Sequence, residues 1–308
     1  MQYMQSKVAA YITCYQDQES ANRCIQAIES QSIQITAIYI VDNSDKPLLL
    51  NNNSQLLLIH HYPNNIGIAA GLVKALKWAI EQKYDFLWTF DQDSIPTKNC
   101  LEILLRNYHQ LSQQDNYKIG IIAPTASDLK TNKVIEGAVF LKDHFVALKH
   151  NKNLDFYECD SPITSGSLIS LTAAQTISPP CAEFFIDGID FDYGLRLKNK
   201  GFRNLIVTKA IMHHNFGNPV QVRFLNKHRY IQQYSALRHY YICRNHTYLE
   251  TRFSQGHYRL SSLIRRIKYM IDSILRIMVY DFENKQLKLW ACLLGTYHGL
   301  IGKLTKKW

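Results

Sequence analysis

Short apolar runs alternate with helically spaced apolar residues over the first 125 positions. Residues 8–13 read as a buried strand ending in polar Thr13, Cys14 and Tyr15, after which Ala21, Cys24, Ile25 and Ile28 recur at helical spacing. Residues 35–41 make a second strand that runs into Asp42-Asn43-Ser44, and 56–60 a third. Asn64-Asn65-Ile66-Gly67 marks a turn and a helix start, with the helix reaching about Lys83. Residues 86–90 and 119–123 make two more strands with a helical stretch between them. This alternation predicts an α/β fold, an open, mostly parallel sheet flanked by helices. Residues 134–171 read as irregular and extended, with Thr164-Ser165-Gly166-Ser167 entering an apolar strand. A helix is predicted from the cluster Asp187, Asp190 and Asp192 to a stop at Gly201, followed by a strand at 204–208 and the segment 211–217. From about Val222 the pattern is helical. The expected organisation is a catalytic region at 1–220 and a helical C-terminal region at 221–308.

Chemistry enters where the fourth strand ends in two carboxylates, Phe90-Asp91-Gln92-Asp93-Ser94. Acidic side chains at i and i+2 beyond a buried strand crowd negative charge that a hard cation or a donor-rich ligand would offset. An isolated pair of this kind is more often a solvated turn. Here a second acidic cluster follows about a hundred residues later, and three strand ends carry polar residues. In open parallel sheets ligands bind beyond the carboxyl ends of the strands, so Thr13 to Tyr15, Asp42 to Ser44 and Asp91 to Ser94 are expected to share one edge.

Charge sharpens the division. From Gln221 onward there are 16 Lys and Arg against 4 Asp and Glu, and the first 220 residues carry 19 against 21. A basic region can face an anionic membrane, an anionic substrate or nucleic acid, but no nucleic-acid motif accompanies it. Ile264, Ile267, Ile271, Ile274 and Met278 form one helical stripe, with Arg265, Arg266, Lys268 and Arg276 elsewhere on the helix. The most apolar run, 289–301, is interrupted by Tyr297 and His298 and is too short for a membrane span, and the N-terminal residues do not read as a signal peptide. Seven scattered cysteines without C-x-x-C spacing suit a reducing, cytoplasmic setting.

In order and spacing, Ile12 to Tyr15, Ile40 to Ser44, Asn65 to Gly71, Phe90 to Ser94, Phe185 to Arg196, Met212 to Gly217 and Arg238 to Asn245 together resemble a family 2 glycosyltransferase of the GT-A fold, most closely the bacterial rhamnosyltransferases. The resemblance covers roughly residues 7–250. It implies an inverting enzyme that takes a sugar from a nucleotide diphosphate donor, dTDP-rhamnose by the closest likeness, to a glycan or lipid-linked saccharide acceptor. It further implies that Thr13, Tyr15, Asp42, Asn65 and Gly67 lie at the nucleotide-sugar with Asp91 and Asp93. Asp91, Asp93 and His214 would hold Mg²⁺ or Mn²⁺, Asp190 would be the general base, and Asp192, Arg238, Tyr241 and Arg244 would lie at the acceptor. Gln16 stands where Asn is frequent, the Asp42-Asn43-Ser44 turn lacks the usual Gly, and Val73 replaces a frequent Asn.

Other readings of the same residues compete. Asp187 and Asp192 suit a helix N-terminus, where carboxylates are favoured electrostatically. His214 could be a packed core histidine, and Arg238, Tyr241 and Arg244 a packed helix face. A strand followed by Asp-x-Asp-Ser is also the outline of a haloacid-dehalogenase-type phosphatase, with Asp91 as nucleophile and Asp187 and Asp190 on the metal. That reading leaves Thr13 to Tyr15 and Asp42 to Ser44 without a task.

Overall fold

The computed structural model describes residues 6–50, 55–217, 219–224, 227–281, 283–305 and 308. Its strands are β1 Val8–Cys14, β2 Ala37–Asp42, β3 Leu57–His61, β4 Phe86–Asp91, β5 Ser94–Pro96, β6 Ile119–Asp128, β7 Val134–Ile135, β8 Ala138–Leu141, β9 His144–Ala147, β10 Phe156–Cys159, β11 Leu168–Ser170, β12 Arg203–His214, β13 Pro219–Phe224 and β14 Lys227–Gln232. The helices are α1 Gln18–Glu29, α2 Gly67–Glu81, α3 Cys100–Ser112, α4 Leu171–Ala174, α5 Ile189–Asn199, α6 Ala236–Phe253, α7 Tyr258–Tyr280 and α8 Lys285–Ile301.

Two compact units result, the first comprising residues 1–139, 147–182 and 189–215, the second 140–146, 183–188 and 216–308. The expected boundary near 220 therefore falls close to one crossing, but the chain crosses more than once. In the first unit the sheet runs β10-β12-β6-β11-β4-β1-β2-β3. β4, β1, β2 and β3 are mutually parallel, as are β6 and β12, while β11 is inserted antiparallel between β4 and β6. Every residue of β1 is buried, and so is all of β4 except its terminal Asp91. Such strands read as continuous apolar runs because helices cover both faces. Ile12 and Ile40 join Trp88 and Phe90 in a core closed by Cys24 and Ile28 of α1 and by Leu101 and Leu104 of α3.

The predicted strands of the first half are present, shifted by one or two residues, and β6 runs on to Asp128. Three expectations fail. Residues 134–171 are not irregular but hold β7 to β10, strands of only two to four residues that give too few positions to show a period, ahead of β11, the apolar strand expected after Ser167. The strand at 204–208 and the segment 211–217 are largely one strand, β12, divided by a register shift between Val207 and Ile211. Residues 219–224 and 227–232 form the antiparallel pair β13–β14 rather than helix, following the alternation Val220-Gln221-Val222-Arg223-Phe224. Helix resumes at α6, where the Ser235 side chain accepts from the Arg238 amide as an N-cap. Asp187 lies ahead of α5 with φ +66°, next to Gly188 at +79°, so the acidic cluster straddles the helix start. All seven cysteines are thiols, and six of them are buried.

Candidate active site and metal centre

β4 delivers Asp91 to its last position, and the chain turns through Gln92 and Asp93 into β5. β5 pairs antiparallel with the end of β12, with Ser94 opposite His214. This pairing brings together residues 120 apart in sequence. Asp93 Oδ1 lies 3.3 Å from His214 Nδ1, and Ser94 Oγ lies 2.8 Å from the same nitrogen. Ser94 Oγ is 2.6 Å from Ser165 Oγ, which in turn accepts the Asp91 amide at 3.0 Å. One hydrogen-bonded chain therefore connects the backbone of Asp91 to the ring of His214.

One ligand atom from each of Asp91, Asp93 and His214 falls within 4.8 Å of the others. Two carboxylates and an imidazole form a donor set suited to Mg²⁺ or Mn²⁺, and the group can bind a divalent cation. Burial by itself would lower the His214 pKa, but hydrogen bonding and attraction from Asp93, with Asp91 and Asp128 behind it, hold it above the ordinary histidine value. The ring sits in a field that draws positive charge. His213, its neighbour in β12, instead meets Ser127 Oγ at 2.9 Å.

Strand register places the other predicted residues on the same edge. Thr13 pairs with Asp91 across β1 and β4, and Cys14 pairs with Asp42 across β1 and β2. Tyr15 is 47% exposed just past β1. Its backbone is clasped by Gln92, whose Oε1 accepts the Tyr15 amide at 2.7 Å while Nε2 donates to the Tyr15 carbonyl at 3.0 Å. The residue between the two aspartates thus locks two strand ends together. Asp42 is only 1% exposed, and its two oxygens accept the amides of Ser44 and Leu48 at 3.0 and 2.9 Å. It shapes the β2 loop. Asn43 Oδ1 accepts the Ile66 amide at 2.9 Å, tying that loop to the start of α2. There Asn65 (φ +39°) and Gly67 (φ +80°) take left-handed backbone, and Asn65 Oδ1 accepts the Gly67 amide at 2.9 Å.

Asp190 opens α5 partly exposed, and with Thr164, Ser167 and Tyr193 it lines a small cavity. The loop that supplies Thr164 and Ser167 is the one whose Ser165 holds Asp91. Arg196 donates to Asp192 Oδ2 through Nε at 3.0 Å and Nη2 at 2.7 Å, and also reaches the carbonyls of Ser178 and Pro179. That pair fastens α5 to the preceding loop.

In the second unit Tyr241 and Arg244 are buried in α6. The Arg244 guanidinium donates to the carbonyls of Glu183 and Leu304, and Tyr241 stacks on Phe185 with centroids 5.0 Å apart. Asn245 Nδ2 reaches the carbonyls of Phe184, Ile186 and Asp187 at 2.9 to 3.0 Å. These residues hold segment 183–188 in place. Arg238 Nε meets Asp187 Oδ2 at 3.1 Å, although burial raises the Asp187 pKa overall. The phosphatase outline needs Asp187 and Asp190 on the metal with Asp91. Instead the described residues that join Asp91 and Asp93 include His214 and neither of those aspartates.

Sequence reasoning placed Asn43, Gln92 and Ser94 on this edge but gave them no task of their own; Ser165 carried no signal linking it to a strand end 74 residues away.

Residues 10–137 match the sequence model of Glycosyl transferase family 2. Among solved structures the chain is similar to GalNAc-T7 crystallised with UDP, GalNAc and Mn²⁺, with a TM-score of 0.55 at 13% identity over 68% of this chain and 44% of that one. It is also similar to A197 from STIV, with a TM-score of 0.45 at 14% identity over 68% of this chain and 85% of that one. The first likeness is one of fold, the GT-A arrangement, and this chain spans less than half the length of that protein. No curated protein matches the chain.

Proposed function

We propose that this chain is a metal-dependent, inverting glycosyltransferase that moves a sugar from a nucleotide diphosphate donor to a glycan or lipid-linked saccharide. The observation that carries the reading is the convergence of Asp91, Asp93 and His214 at the carboxyl edge of a GT-A sheet whose residues 10–137 match family 2. Thr13 and Tyr15 lie at the ends of β1 beside Asp91, where a nucleoside would rest, and Asn65 and Gly67 open α2 across the same edge. A divalent cation held by Asp91, Asp93 and His214 would neutralise the diphosphate leaving group as a Lewis acid.

Asp190 is the base. Its carboxylate takes the proton of the acceptor hydroxyl as that oxygen attacks the anomeric carbon opposite the departing diphosphate, which inverts the centre. Ser165 and Ser94 position the acidic strand end and the histidine. Gln92 holds the nucleotide side of the edge rigid. The donor sugar is rhamnose, from dTDP-rhamnose, on the sequence resemblance, and the enzyme works in the cytoplasm, peripheral on the inner face of the membrane.

A donor screen tests this. The protein with Mn²⁺ or Mg²⁺ is offered nucleotide-sugars, and release of nucleoside diphosphate is followed with and without chelator. Metal-dependent release from dTDP-rhamnose supports the full reading, and release from another donor keeps the transferase while moving the sugar. Inorganic phosphate released from simple phosphomonoesters would favour the phosphatase.

A further inference from the structure

The last two helices carry more apolar surface than their packing uses. On α7, Leu260, Ile264, Ile267, Ile271, Leu275 and Met278 are all exposed. Their spacing of three or four residues puts them on one stripe, and the buried Ser262, Arg266, Ser273 and Ile277 lie on another face. α8 repeats the arrangement. Its buried face is Ala291, Cys292, Gly295, Thr296 and Gly299, and the two glycines bring its backbone against the α6 carbonyls of Tyr240 and Arg244, where a Cβ would collide. The opposite face shows Leu287, Trp290, Leu293, Tyr297 and Ile301, with Trp290 55% and Tyr297 57% exposed. Between Lys288 and Lys303 this helix has no charged residue.

We propose that these outer faces of α7 and α8 form a docking surface for an anionic lipid bilayer, lying in the headgroup region without crossing it. No helix among the described residues is long and apolar enough to span. Charge selects the occupant. Residues 255–308 hold ten Lys and Arg against three Asp and Glu. A second copy seated on the same face would set that surplus against itself, whereas anionic headgroups are complementary to it. Trp and Tyr on an otherwise apolar helix face suit the boundary between headgroup and acyl chain, where one end of the ring is wet.

The structure also changes which cations serve. Arg265 is held by Asp143 at 2.9 Å, and the buried Arg266 lies 3.7 Å from Glu250, so both stabilise the second unit. Lys268, Arg276 and Lys303 are exposed and remain for headgroups.

The test is sedimentation of the full chain with vesicles of phosphatidylcholine alone or with one third phosphatidylglycerol, an assay independent of any transferase activity. Binding is expected to the anionic vesicles alone and to weaken in high salt without vanishing, because the apolar contribution is not screened. Ile264→Glu combined with Leu293→Glu, two residues far from the metal group in sequence and outside it, should reduce binding about tenfold or more while circular dichroism stays unchanged. Lys268→Glu with Arg276→Glu should remove the preference for anionic vesicles and provides a second variant set should the first misfold. Binding to both vesicle types alike, or to neither, overturns the proposal. So does a dimer dissolved by the Glu substitutions in a protein that ignores vesicles, which would make the face a self-interface.

Discussion

At the scale of single residues, the proposed site separates candidate ligands, Asp91, Asp93 and His214, from the hydroxyls of Ser165 and Ser94 that hold them. Removing a ligand should abolish the centre: Asp93→Ala is expected to lose Mn²⁺ binding, read by electron paramagnetic resonance, and donor turnover with it, while the fold persists because Asp93 sits in a turn. Ser165→Ala should act more gently. Loss of an aiming hydroxyl typically costs about 10- to 100-fold in metal affinity, so weakened Mn²⁺ binding with turnover restored at saturating metal is expected. Equal Mn²⁺ affinity in wild type and Ser165→Ala would reduce this hydroxyl to a packing role. Asp190→Asn leaves the metal group whole and should retain donor binding while transfer falls about a hundredfold or more, the usual scale of general base catalysis. If Asp187→Asn proves the crippling change instead, the base has been misassigned.

At the scale of elements, α6 is the keystone of the second unit. It carries two half-buried histidines whose protonation opposes folding. Burial, reinforced by Lys288, lowers His239 to about 4, and burial with Arg266 lowers His246 to about 3. Both folded values lie below the unfolded histidine value near 6.5, so the unfolded chain binds more protons as pH falls. Stability is therefore complete above about pH 6.5 and declines below it as far as about pH 3, by on the order of a few kcal/mol. Thermal unfolding followed from pH 7.5 to 5 should show this slope, and His239→Gln with His246→Gln should flatten it. Legibility from sequence divides along the same lines. The strand ends that carry Thr13, Asp42 and Asp91 were readable because a strand buried on both faces is a continuous apolar run that stops where the ligand edge begins. β7 to β10 are too short to display a period, and the β13–β14 pair was lost to the helical pattern that follows it. Arg244 is hard to read from sequence for a different reason. A cation and an aromatic side by side on a helix look alike whether they await a ligand or hold a loop, and only burial against the carbonyls of Glu183 and Leu304 distinguishes the two.

At the scale of the molecule, two units carry different work. The first holds the metal group and the predicted nucleotide edge, and the second carries the basic surplus and the exposed apolar helices. If the bilayer proposal holds, Ile264→Glu with Leu293→Glu should leave release of nucleoside diphosphate in free solution unchanged while depressing transfer to an acceptor embedded in vesicles. Equal losses in both assays would mean that the face supports the fold itself. The buried thiols add something of practical use. Cys14, Cys24, Cys100 and Cys159 lie in the first unit and Cys243 and Cys292 in the second, all buried, while Cys181 alone is partly accessible. A brief pulse of alkylating reagent should therefore tag the native chain once. Under mild denaturant, mass spectrometry of the tagged peptides would report which half opens first, without a single label having been engineered in.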